Sequence, residues 1–168
     1  MRTVAIIPAR DEVRVIARVV SDLLNARRGN RALVDRVIVC DNGSIDGTGA
    51  AAAAAGATVV REEQRGYGAA CLCALREIGD AEAVLFVDGD GSVRATDAWA
   101  LLNALQQGSD LALGQRPLAW VAPGAMTPPQ LAGTRFAVML IRVLFGHRFA
   151  DLGPLRGIRR SALERLNM

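Results

Sequence analysis

"AVLFVDGDGS", residues 83–92, carries the decision about the fold. An apolar run of Val, Leu and Phe stops at two aspartates, Asp88 and Asp90, each followed by a glycine. A short apolar run bounded by turn residues reads as a buried strand. Two carboxylates one residue apart at its end repel each other unless something positive joins them. A hard divalent cation, Mg2+ or Mn2+, is the natural partner, because it takes one or two carboxylates and fills its shell with water and phosphate oxygens. Gly89 and Gly91 let the backbone pass close to a ligand. A lone D-x-D also decorates ordinary turns, so its neighbours decide what it means.

Working outward, short apolar runs alternate with helical patterns. Strands are predicted over 3–9 ("TVAIIPA"), 34–41 ("VDRVIVCD"), 58–62 ("TVVRE"), 83–88 and 109–116 ("SDLALGQR"). Helices are predicted over 13–28, 46–56 (an alanine run ended by Gly56), 67–78 and 95–107. This alternation predicts an α/β fold: a doubly wound, mostly parallel sheet with helices on both faces. Such sheets bind ligands outside the carboxyl ends of their strands. The polar clusters all fall there: "PARDE", "DNGSIDGT", "REEQRGYG", "DGDGS" and "GQRP". One crevice therefore collects Glu12, Asp41, Arg65, Asp88, Asp90 and Arg116.

Beyond residue 117 the rhythm changes. "PLAWVAPGAMTPPQ" (117–130) holds four of the 6 prolines and reads as an irregular loop. "LAGTRFAVMLIRVLFGHRF" (131–149) reads as a long apolar helix interrupted by Arg135 and Arg142, with runs too short to span a bilayer. Packing into the core is the first expectation for it, and an interfacial, lipid-facing position the second.

The 168 residues suffice for one domain, with 1–117 as a ligand-binding half and 118–168 as the remainder. All 20 cationic side chains are Arg, so no chemistry needing a lysine amine can run here. A formal net charge of +3 gives no footing for a nucleic-acid partner. Cys40, Cys71 and Cys73 with the single His147 have no zinc-like spacing, and free thiols in a reducing compartment are expected. "MRTVAIIPARDE" meets charge within ten residues and shows no secretory signal, so a cytoplasmic location is expected, extending to the inner face of the membrane.

"VAIIPARDE", "VIVCDNGSIDGT", "RGYGAA" and "VLFVDGDG", in this order and spacing, resemble the nucleotide-sugar-binding half of the family 2 glycosyltransferases of GT-A fold. "DLGPLRGIRRSAL" (151–163) is similar to a segment of that family's polyprenyl-phosphate-type members, in which a Gly-Pro-Phe-Arg-like run follows the acceptor region. The likeness covers nearly the whole chain. It implies metal-dependent, inverting transfer of a sugar from a UDP- or GDP-sugar to an acceptor of the lipid-phosphate class, with peripheral membrane contact and room for a homo-oligomer.

Position by position, the resemblance places Pro8, Ala9, Arg10 and Glu12 in the first nucleoside-contacting loop, and Asp41 on the base-contacting acid followed by Asn42 and Gly43. Arg65 and Gly66 fall in the "RGYG" loop, where an arginine and backbone amides can meet a diphosphate. Arg10 and Arg65 each read equally well as solvated surface arginines. Asp88 and Asp90 match the D-x-D that holds the metal against the diphosphate, with Gly89 between them. Arg116 aligns with a basic residue near the donor and acceptor phosphates, and Asp151 with an acid near the acceptor. Asp11 stands where Asn is commoner, and Ser92 where dolichol-phosphate-type members often carry Gln. Family members continue beyond the segment matching "RRSALERLNM", so a donor site with an incomplete acceptor side is expected. Two alternatives remain open: a non-catalytic nucleotide-sugar-binding or assembly module, and a nucleotidyltransferase with a similar fold.

Overall fold

The computed structural model describes residues 1–114, 128–146, 153 and 155–167. In chain order the elements begin β1 (Thr3–Ala9), α1 (Ile16–Asn25), β2 (Arg27–Arg28), β3 (Arg31–Ala32), β4 (Arg36–Asp41) and α2 (Thr48–Ala54). They continue with β5 (Thr58–Arg61), α3 (Tyr67–Leu75), β6 (Ala83–Phe86), a 3-10 turn at Ala95–Asp97 and α4 (Ala98–Gln106). The last are β7 (Leu111–Leu113), α5 (Pro128–Phe145), β8 (Arg156–Arg159) and α6 (Arg160–Arg165).

A six-stranded sheet runs in the order β5-β4-β1-β6-β8-β7. Its first four strands are parallel, with Ala9 beside Asp41, Asp41 beside Arg61, and Ile6 beside Phe86. Strands covered on both faces need apolar residues on both faces. In β1, Ala5, Ile7 and Ala9 enter one core layer with Val20 and Leu23 of α1 and Leu102 of α4. Val4 and Ile6 enter the other, with Ala70 and Ala74 of α3 and Leu163 of α6. Each fully buried aliphatic such as Ile6 or Ile7 stabilises the fold by roughly 1.5–3 kcal/mol.

The mostly parallel α/β sheet is as expected, with one addition. β8 lies antiparallel between β6 and β7, pairing Phe86 with Arg156 on one side and Leu113 with Arg156 on the other. "RGIR" is too short and too charged to announce a strand. It forms one because both of its neighbours are waiting, and because a side chain at Gly157 would press on Leu85 and Leu105 at 3.2 Å. Two reversals restore direction, so β7 points the same way as β6 and its end opens on the same edge.

The helix expected over 13–28 is shorter. Ile16, Val19, Val20 and Leu23 provide its buried stripe, and it stops at Asn25. Arg27 and Arg28 instead pair with Arg31 and Ala32 across a turn in which Gly29 takes φ +60°. The long apolar helix, expected to pack into the core, is left uncovered by the described residues. Phe136, Met139, Leu140, Val143, Leu144 and Phe145 of α5 are 42–73% exposed. Among the described residues no helix is long and apolar enough to cross a membrane.

Candidate functional site

The carboxyl edge of the sheet is built as a set of stitched loops. The first loop, Arg10 to Val13, is bound to the second, Asn42 to Thr48, by side chains of the second. Ser44 Oγ accepts from Asp11 N at 3.1 Å, Thr48 Oγ1 accepts from Glu12 N at 2.8 Å, and Asp46 Oδ2 accepts from Val13 N at 3.1 Å. In return Asp11 Oδ1 accepts from Ile45 N at 3.0 Å. Asp11 holds a left-handed backbone, φ 55°, which Asp tolerates better than most residues. Thr48 donates its hydroxyl to Asp46 Oδ1 at 2.5 Å, and that bond with the Thr48 and Val13 amides holds the Asp46 carboxyl below the usual range.

Asn42 joins the second loop to the third. It is 6% exposed, its amide donates to the carbonyls of Glu62 and Gln64 at 2.9 and 2.8 Å, and its carbonyl accepts from Gly66 N at 2.8 Å. The side chain is therefore consumed in fixing the loop that carries Arg65. Gly66, at φ 140°, starts α3 in a conformation closed to most residues. Gly43, at φ 75°, turns the chain directly after Asn42.

Asp41 sits level with Ala9, its Oδ1 accepting from Ser44 N at 2.8 Å. Its other oxygen lies so near α2 that a Cβ at Gly49 would stand 2.8 Å from it. Gly49 is thus what lets this carboxylate tuck against the first turn of the helix. Pro8 and Ala9 close β1 beside Cys40 and Asp41. Arg10 is half exposed and ion-paired with Asp11 at 3.6 Å, and Arg65 is exposed.

Asp88 lies two residues beyond Phe86, the last residue of β6, which pairs with Ile6. It accepts a hydrogen bond from the Tyr67 hydroxyl at 3.3 Å. Gly89 packs its backbone against Ala9 and Ile7, where a Cβ would meet both at 3.4 Å. Asp90 accepts from Ser92 N at 2.8 Å and closes a tight turn. Burial first, then the neighbouring charges of Asp90, Asp46 and Asp11, push the Glu12 carboxyl up. The Asp90 charge is thus close enough to be felt at Glu12. Among the described residues no ready-made cluster of three or more metal-binding side chains forms. Two hard oxygen donors at a strand end fit a Mg2+ or Mn2+ that takes its remaining ligands from a diphosphate and water.

The structure brings Pro8, Ala9, Glu12, Asp41, Asp88 and Asp90 to one edge, with Arg10 and Arg65 on its outer loops. Arg116 and Asp151 lie outside the described residues, as does His147. The sequence did not single out Tyr67, whose hydroxyl donates to Asp88, or Arg156, whose strand pairs with β6. Tyr67 was hidden in a loop read only for its glycines, and Arg156 in a strand that only tertiary pairing reveals. The three cysteines are free thiols, with Cys40 and Cys71 buried, and burial pushes them up to about 12 and about 11.

A family model described as glycosyl transferase family 2 matches residues 4–166. The chain is 37% identical over 157 residues to the glycosyltransferase AglJ of Haloferax volcanii, an overlap of 94% of this chain and 49% of that one. Among solved structures it resembles glucosyl-3-phosphoglycerate synthase of Mycobacterium tuberculosis in complex with Mn2+, UDP-glucose and phosphoglyceric acid. There the TM-score is 0.67 at 25% identity, over 95% of this chain and 57% of that one. Mannosyl-3-phosphoglycerate synthase of Rubrobacter xylanophilus, with a TM-score of 0.75 at 20% identity over 95% of this chain and 53% of that one, shares the fold. The chain spans about half the length of the relatives it matches.

Proposed function

The chain belongs to glycosyl transferase family 2, and from that premise we propose that it moves a sugar from a UDP- or GDP-sugar to a polyprenyl phosphate, with inversion. One observation carries the reading: Asp88 and Asp90 follow β6 by two and four residues, at the carboxyl edge that β6 shares with β1 and β4, where stitched loops form a fixed wall. The Mycobacterium tuberculosis neighbour was solved with Mn2+ and UDP-glucose, which supports a uridine donor and a divalent ion at the same edge.

Asp41 keeps one oxygen on Ser44 N and offers the other to the N–H groups of a nucleobase. Pro8, Ala9 and Glu12 wall the nucleoside side. Asn42 holds the 62–66 loop so that Arg65 and the Gly66 region face the diphosphate. Asp88 and Asp90 would hold the divalent ion, which when bound would supply charge neutralisation for the departing diphosphate. Positioning and charge stabilisation then supply the acceleration.

Transfer is a single displacement. An acceptor oxygen bonds to the anomeric carbon as the carbon–oxygen bond to the diphosphate breaks, and the nucleoside diphosphate leaves with the electron pair. A phosphate monoester, with a second pKa of about 6, is already largely ionised at neutral pH and needs no strong base. Asp151 then positions the acceptor and Arg116 meets its phosphate; with a hydroxyl acceptor Asp151 becomes the general base. The exposed apolar side chains of α5, with Arg142 among them, support an interfacial position for that helix, where a lipid-phosphate acceptor would be held.

The test is a transfer assay with UDP-glucose and GDP-mannose, Mn2+, and a short-chain polyprenyl phosphate in vesicles. Glycosylated lipid phosphate of inverted anomeric configuration, formed with one equivalent of nucleoside diphosphate, is the expected result. Metal-dependent nucleotide binding with no product from any acceptor would make the chain a binding module instead.

A further inference from the structure

We propose that Arg156 is a second cation, besides Arg116, that binds the anionic group of the acceptor, a role resting on the glycosyl-transfer reading above. β8 runs against its neighbours, so it begins at the edge where β1, β4 and β6 end, and Arg156 is its first residue. Its register partners are Phe86, two residues before Asp88, and Leu113, at the end of β7. The guanidinium is thus carried by a strand, between the donor-side aspartate and the strand that leads to the acceptor-side segment. A cation fixed on a strand is placed more firmly than one on a loop.

Its surroundings separate it from the surface arginines elsewhere on the chain. Arg156 is exposed, and its Nε donates to the Gly153 carbonyl at 3.4 Å, which leaves the other guanidinium N–H groups to serve a second partner. It borders an open cavity of about 800 Å³ shared with Tyr67, Cys71, Leu72, Leu111 and Leu163. Tyr67 stands at the Asp88 end of that cavity with its hydroxyl on Asp88. Two polar groups, Arg156 and the Tyr67 hydroxyl, therefore converge at one end of an otherwise apolar groove, the arrangement that orients a ligand. Arg is suited to phosphate and carboxylate because its fork donates two parallel hydrogen bonds.

The shared chemistry of the ligand is a phosphate monoester beside Asp88, and it has two sources. A lipid phosphate would lay its chain along Leu72 and Leu111, whereas a small phosphorylated acid would use Arg156 and leave the groove empty. Calorimetric titration of the full chain, loaded with UDP and Mn2+, separates these sources and tests the role of Arg156. The two probes are a short-chain polyprenyl phosphate in detergent and 3-phosphoglycerate. Arg156→Gln is expected to weaken whichever probe binds by tenfold or more and to leave UDP affinity within twofold, with Arg156→Lys in between. Leu72→Arg should weaken the lipid phosphate alone if the chain uses the groove.

Acceptor affinity unchanged in Arg156→Gln overturns the assignment, as does wild-type protein that binds UDP but neither probe. A fall in UDP affinity equal to the fall in acceptor affinity also overturns it, because Arg156 would then serve the donor. Failure of UDP itself to bind the wild type would instead strike the glycosyl-transfer reading. A Tm of Arg156→Gln within about 2 °C of wild type shows that any loss is not unfolding.

Discussion

The two halves of the sheet's working edge are built differently. On the β5-β4-β1 side every loop is tied to its neighbour by a short polar side chain: Ser44, Asp46 and Thr48 hold the first loop, and Asn42 holds the third. On the β8-β7 side the edge offers an arginine, an open apolar groove and, farther along the chain, a helix whose apolar face is exposed. The first half is a preorganised receptor. The second is a surface waiting for something to cover it. On the proposed function, a donor gripped through base, diphosphate and metal would need the rigid half, because misplacing the leaving group by an ångström costs heavily in rate, and an acceptor that enters and leaves would be served by the open one.

The largest stability effect expected from breaking this contrast comes at Asn42. Removing its side chain in Asn42→Ala strands two carbonyls and one amide in a part-buried place, at about 2–3 kcal/mol. Urea unfolding should show the lowered midpoint with an unchanged slope.

A smaller effect belongs to Asp46, with a definite pH signature. Because its folded-state carboxyl lies below the ordinary value of about 3.9, its contribution is complete above about pH 5 and is lost as pH falls through the lower folded-state value. Asp46→Asn should therefore melt below wild type at pH 7, with the gap closing in acid. A gap that persists undiminished at pH 2 would mean that Asp46 works by shape and not by charge.

The smallest effect is expected on the other half. Leu144→Ser and Val143→Ser on α5, at 63% and 73% exposure, should change stability by no more than about 0.5 kcal/mol. If α5 meets a membrane, the same changes should weaken vesicle binding. A loss of 2 kcal/mol or more would place α5 inside the fold.

The same contrast explains what the sequence disclosed. The rigid half was legible because its strands are apolar runs ended by polar clusters, and period and composition mark both. That Asp41, Asp88 and Glu12 share an edge followed from the alternation of strand and helix alone. What the side chains do there was less legible. Asn42 reads as a ligand contact, yet its amide is committed to the 62–66 loop, and the Thr48 hydroxyl, 36 residues away in sequence, holds the Glu12 amide. Both are long-range bonds that no local pattern encodes.

The open half was largely hidden. β8 has four residues, two of them Arg, and exists because β6 and β7 pair with it from both sides. The stripe of α5 expected to be buried is left uncovered for a related reason. An apolar face shows only that something should cover it, and the described residues do not.

The central claim is that Asp88 and Asp90 bind a nucleoside diphosphate through a divalent ion. Calorimetric titration of UDP and GDP, with and without Mn2+, on wild type and Asp90→Asn tests it most directly. The account predicts that Mn2+ strengthens nucleotide binding in the wild type and that Asp90→Asn loses that gain by about 10- to 100-fold, the usual cost of disturbing a metal site. Equal Mn2+-dependent affinity in both proteins would contradict it.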